Sequence, residues 1–151
     1  VVEHHAYFSA CAAVVLGGLL AYAYTSYLNH LSAQNDLIND YLADLHILEE
    51  LCVQYWIEPQ QCSRAHSAVG HHLRAKLQET SYHYTAVSKI LGPSFPEFED
   101  LDGRLFDAAT GGRFQSKHFF VDPERFSEVH DLIAQQRSIL RAKKCAQFWA
   151  R

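Results

Sequence analysis

The chain has 151 residues, a formal charge of -4 and hydrophobic residues at 48% of its positions. Outside its most apolar run roughly 120 residues remain, enough for one small domain with its own core and too few for several. The charge is too mild to imply a nucleic-acid partner.

Residues Ala6 to Leu28 read AYFSACAAVVLGGLLAYAYTSYL, with no charged residue, Asn, Gln or Pro. As a helix this run covers about 30–35 Å, the thickness of a bilayer's hydrocarbon core. The expectation is a single transmembrane helix over 6–28, within an N-terminal segment 1–28, followed by a helical-bundle domain over 29–151. A secretory signal peptide is the rival reading, with Ala21-Tyr22-Ala23 resembling a cleavage site. Against it, the leader VVEHH has no Lys or Arg, and the apolar stretch runs on past the proposed cut.

Within the run, small residues recur at every fourth position: Ser9, Ala13, Gly17, Ala21 and Thr25. On a helix they stack on one face, which in lipid lets a second helix approach closely. The plain alternative is that Gly and Ala are common in membrane helices. Tyr22, Tyr24 and Tyr27 suit an interfacial aromatic belt.

No Gly or Pro interrupts the chain from Leu28 to Ile57. Leu28, Leu31, Ile38, Leu42, Leu45, Cys52 and Trp56 fall near one line. Leu37, Tyr41, Leu48, Leu51 and Tyr55 lie beside it, and Asp36, Asp40 and Asp44 mark the opposite face. The membrane helix is therefore expected to continue as a stalk to Glu58, a rod of about 75–80 Å. Like charges at i, i+4 cost a few tenths of a kcal/mol, so packing must hold this stalk.

Pro59 ends the rod. A second helix is expected from Gln61 to Leu91, with Ala65, Val69, Leu73, Leu77, Tyr84, Val87 and Leu91 in apolar register and Gly92-Pro93 as its stop. Pro96 opens a third helix to Ala109, with Phe98, Leu101, Leu105 and Phe106 on its apolar face. Arg113 to Val121 reads as a loop pinned to the core by Phe114, Phe119, Phe120 and Val121. Asp122-Pro123-Glu124 starts a last helix to Trp149, lined by Phe126, Val129, Ile133, Leu140 and Cys145.

The expected fold is all-α: a single transmembrane helix continuous with a long stalk helix, folded back into a small antiparallel bundle of about four helices. That path returns the C-terminus toward the bilayer. Arg141, Lys143, Lys144, Phe148, Trp149 and Arg151 are there the candidates for membrane-surface contact, with no acid after Asp131. Cations that merely complement a helix C-terminus are the alternative. All 13 Lys and Arg lie at or beyond Arg64, so neither end of the apolar run carries a cation to fix its direction. The basic C-terminus favours an inner or plasma membrane with the domain in the cytoplasm.

Chemistry-bearing residues are present without a chemical pattern. Of ten His, no pair has the i, i+4 spacing that puts two metal ligands on one helix face. His46 and Glu50 have it, but as one His and one acid. Thr110-Gly111-Gly112-Arg113 could cradle a phosphate, yet it lacks the Gly-Lys-Ser/Thr of a P-loop and reads first as a helix-ending turn. Cys145 lies near Lys143 and Lys144 but has no local His base. Cys11, Cys52, Cys62 and Cys145 form no CxxC and read as free thiols. Cys52 and Cys62 flank the Pro59 turn, and a bond between them would mark an oxidising side and reverse the topology.

No catalytic set, metal site, cofactor site or small-molecule substrate is expected. The expected partners are membrane lipid and, through the apolar helix, a second copy or another membrane protein. The first functional reading is an oligomerising structural or accessory subunit of a membrane complex. The alternative is a stress or phage-defence effector whose assembled helices perturb the bilayer.

Overall fold

The computed structural model describes residues 2–58, 63–112, 114 and 120–149, and the side chains within those ranges except 2–12, 63 and 147–149. All regular structure among the described residues is helical: α1 (Val2–Trp56), α2 (Ser63–Ser81), α3 (Tyr84–Leu91), a 3-10 turn (Gly92–Ser94), α4 (Phe95–Thr110) and α5 (Pro123–Trp149). The chain divides into two compact units, residues 1–36 and 37–151.

In the first unit the chain is helical through the apolar run, as expected, and passes through Gly17-Gly18 without a break. Among the described residues, however, no helix is long and apolar enough to cross a membrane. Composition explains this. After Leu20 the sequence reads AYAYTSYLNH, where Tyr, Thr, Ser, Asn and His dilute the aliphatic residues. The span predicted over 6–28 takes much of its apolar character from its start, and the side chains of residues 2–12 lie outside the described ones.

The second unit is a bundle, and its pairings fix the helix directions. The part of α1 in this unit meets α2 with opposite polarity: Tyr55 stacks on His66 at 4.3 Å, and Lys76 reaches Asp44 at 2.6 Å. It meets α4 with the same polarity, Tyr41 against Phe98 at one end and Trp56 Nε1 donating to the Ala109 carbonyl at the other. It meets α5 with opposite polarity, the Asp122 amide donating to the Trp56 carbonyl and Lys144 to Asn39 Oδ1 at 2.7 Å. The predicted up-down-up-down path is the observed one.

The core forms where the apolar register said it should. Ile38, Tyr41, Leu45, Leu48, Cys52, Tyr55 and Trp56 of α1 are buried against Leu73 and Leu77 of α2, Val87, Ile90 and Leu91 of α3, Phe98, Leu101 and Leu105 of α4, and Val129, Leu132, Ile133 and Leu140 of α5. Burying a large apolar side chain contributes about 1.5–3 kcal/mol. That stabilisation outweighs the like charges on α1. Gly70 lets α2 approach closely, since a Cβ there would lie 2.9 Å from the Tyr55 ring.

Five details depart from the expectation. The second helix breaks at Tyr82-His83 without Gly or Pro: the Thr80 and Ser81 hydroxyls bond back to the carbonyls of Leu77 and Gln78, offering an alternative to the helical ladder. Asp44 is not on a purely solvated face but is largely buried under Lys76. Phe106 is 46% exposed, turned away from the core. Cys145 is exposed rather than lining the bundle. Phe120 and Val121 are exposed, while Phe114 packs on Tyr55 and Trp56.

Helix ends follow the predicted chemistry. Asp122 caps α5, its Oδ1 accepting from the Arg125 amide at 3.0 Å. Gly112, with φ +66°, lies where a Cβ would meet the Arg125 guanidinium at 2.7 Å. Arg125 donates to the Ala108 carbonyl, stacks on Trp56 and pairs with Asp122. A side-chain cation of the protein thus covers the glycine turn, which acts as a helix terminator. Arg113 lies outside the described residues.

Candidate functional site

Three regions carry surface or chemistry beyond core packing. The first is the apolar helix. Val14, Val15, Leu16, Leu19 and Leu20 are 60–76% exposed, and Tyr22, Tyr24 and Tyr27 are exposed with them. Gly17 and Gly18 have no neighbour within 4 Å of a Cβ position. Ala13 and Ala21 are exposed, and the Thr25 hydroxyl donates to the Ala21 carbonyl at 2.9 Å. The predicted strip of small residues is therefore open from Ala13 to Thr25, while Ser9 lies outside the described side chains.

The second region is the basic end of α5. Arg141 is exposed, and Lys144 is half-buried and bonded to Asn39. Lys143 lines a 300 Å³ hollow with Leu91, Ser94, Glu97, Ile139, Ala142 and Ala146. The side chains of Phe148 and Trp149, and Arg151 altogether, lie outside the described residues.

The third region was not anticipated. Asp102 of α4 gathers donors from three other elements of the bundle: the Tyr41 hydroxyl of α1 at 3.4 Å, the Tyr84 hydroxyl of α3, and the Gln136 amide of α5 at 3.2 Å. Burial, reinforced by the Asp102 carboxylate, holds both phenols far above their ordinary range, so both remain protonated donors. The groups bonded to Asp102 are two phenols and a primary amide, none of them an activated nucleophile. Its chemistry is that of a cross-brace. Asp102 and Tyr84 also line a cleft of about 700 Å³ between α2 and α4. Chain separations of 61, 18 and 34 positions hid this arrangement from sequence spacing.

Two ion clusters tie α1 to its neighbours. Lys76 sits between Asp44 and Glu79, with His83 3.7 Å from Asp44. On the other side Glu49 receives His130 at 2.5 Å and Arg137 at 2.7 Å. Burial alone would raise the Glu49 carboxyl, but these bonds outweigh it and hold the group below its ordinary value. Lys76 is likewise raised, its two carboxylate bonds overcoming burial.

The histidines remain dispersed. His66 is buried, and burial lowers its pKa; His71 and His72 are exposed; His46 pairs loosely with Glu50; His118 lies outside the described residues. Among the described residues no group of three or more His, Cys, Asp or Glu is placed to hold a metal. Cys52 is a free buried thiol, pushed up to about 12 by burial and then by Glu49. Its predicted counterpart Cys62 lies outside the described residues.

Taken with the fold, these surfaces define an all-α bundle in one unit and an apolar helix in the other. No protein-family model, curated protein or solved structure matches the chain.

Proposed function

We propose that this chain is a single-pass membrane protein, an oligomerising structural or accessory subunit of a membrane complex with no catalysis of its own. The observation that carries the reading is the uncovered apolar surface of residues 14–20, with five aliphatic side chains 60–76% exposed. In water such contiguous exposure is unfavourable and marks an interaction site. The span is completed by the apolar residues from Ala6 onward, counted from the sequence. Its small-residue strip, open from Ala13 to Thr25, supports packing against a second copy or another membrane protein.

The basic end of α5 supports a membrane-surface contact and a cytoplasmic domain, because anionic cytoplasmic lipid attracts Lys and Arg. Detergent purification with copy number read by mass spectrometry tests the subunit reading. Recovery of a defined oligomer or a stoichiometric partner is expected. A monomer with no partner, unaffected by Gly17→Leu and Ala21→Leu, would contradict it. Inducible expression that collapses membrane potential, and ceases to do so in that double variant, would favour the bilayer-perturbing effector instead.

A further inference from the structure

The cleft between α2 and α4 is used neither by the core nor by the membrane reading. Its α2 wall is Arg74, Leu77, Gln78 and Ser81, and its α4 wall is Glu99, Asp102, Gly103, Phe106 and Asp107. Each set spans about two turns of one helix face. The cleft holds about 700 Å³, against 300 Å³ for the hollow beside Lys143 and 310 Å³ for one beside Arg125. It is also open along its length, since Gln78, Ser81, Gly103, Phe106 and Asp107 are all exposed.

Two features point to an absent occupant. Gly103 sits inside α4 with nothing within 4 Å of a Cβ position, although glycine is among the poorest helix formers. No close approach within the chain requires it there, and the space it leaves belongs to the cleft. Phe106 stands in the same wall, nearly half exposed, in a register that predicted burial.

Charge says what the occupant carries. The α4 wall presents Glu99, Asp102 and Asp107 against the single cation Arg74. Among the described residues Arg74, Glu99 and Asp107 make no ion pair, and Asp102 takes only hydrogen bonds from neutral donors. A two-turn groove with an acidic wall and an aromatic anchor fits the helix-in-groove mode, read by side chains at i, i+3/i+4 and i+7. We propose that this cleft docks a cationic amphipathic helix of a partner protein. Its Lys or Arg side chains face Glu99 and Asp107, and an apolar residue lies over Gly103 against Phe106. The proposal rests on the interaction-subunit reading and names the partner's chemistry.

The test uses the full chain in non-ionic detergent and a fluorescent alanine-based helical peptide with Lys and Phe on one face. A Glu-for-Lys version is the control. The Lys peptide binds, weakens with added salt, and loses about tenfold or more in affinity to Gly103→Leu and to Asp107→Lys. Gly103→Leu fills open space and improves helix propensity, so an unchanged or higher melting temperature shows that the loss is steric. Equal binding of the Glu peptide, or binding indifferent to both substitutions, would overturn the proposal. So would self-association of the wild type that Gly103→Leu abolishes, because a second copy would then fill the cleft. Recovery of a stoichiometric partner by wild type and Gly103→Leu alike would sink the groove and leave the subunit reading standing; a monomer without a partner in both would sink that reading.

Discussion

The Gln136 side-chain amide on α5 donates to Asp102 Oδ1 on α4 at 3.2 Å, while the Gln136 side-chain carbonyl oxygen has no hydrogen-bond partner among the described residues although the residue is fully buried. The two ends of one amide thus pull in opposite directions energetically. One serves the Asp102 cluster and the other carries a desolvation cost.

This asymmetry separates two substitutions. Asp102→Ala removes the acceptor for Tyr41, Tyr84 and Gln136 together, and is expected to destabilise the bundle by about 2–4 kcal/mol. Gln136→Leu removes one donor but also the orphan oxygen, and should stay within about 1 kcal/mol of wild type. Melting followed by circular dichroism in mild detergent checks the order.

The glycines of α2 and α4 predict opposite signs. Gly70→Ala drives a methyl to 2.9 Å from the Tyr55 ring and should cost about 1–3 kcal/mol. Gly103→Ala meets open space and should gain about 0.5–1 kcal/mol from helix propensity. The same melts compare them directly.

Much of this bundle was legible in the sequence because its signals are local. Pro96 and Asp122-Pro123 open α4 and α5, the apolar register names Leu73, Leu77, Leu101, Leu105, Val129 and Ile133, and short connections make neighbours antiparallel. The Asp102 cluster was not legible, because its members share no spacing and meet only after four helices pack. The break at Tyr82-His83 was hidden because no Gly or Pro marks it, only the Thr80 and Ser81 hydroxyls bonded back to Leu77 and Gln78. Phe106 misled because periodicity marks a face without saying whether the chain itself covers it.

Glu49 makes part of the stability depend on acid. Its folded pKa is below the ordinary 4.5, so its contribution is complete above that value and is lost as pH falls through the folded one. The groups facing it are His130 and Arg137 of α5. Glu49→Gln should be less stable than wild type at neutral pH and show a shallower decline below pH 4.5. Parallel acid titrations of wild type and variant by circular dichroism give the slopes.

Thiol reactivity should split by burial. With Cys11 and Cys62 replaced by Ser, two thiols remain. Cys145 is exposed and should react with a thiol reagent at mild pH in the folded protein. Cys52 is buried with its pKa pushed up to about 12, and should react only after unfolding. Stopped labelling with mass spectrometry assigns each site.

The central claim, that the apolar helix lies in a bilayer, is tested most directly by alkaline carbonate extraction followed by flotation of the membranes. Membrane insertion predicts that the full chain floats with the lipid after extraction. Release of the chain into the soluble fraction would contradict it.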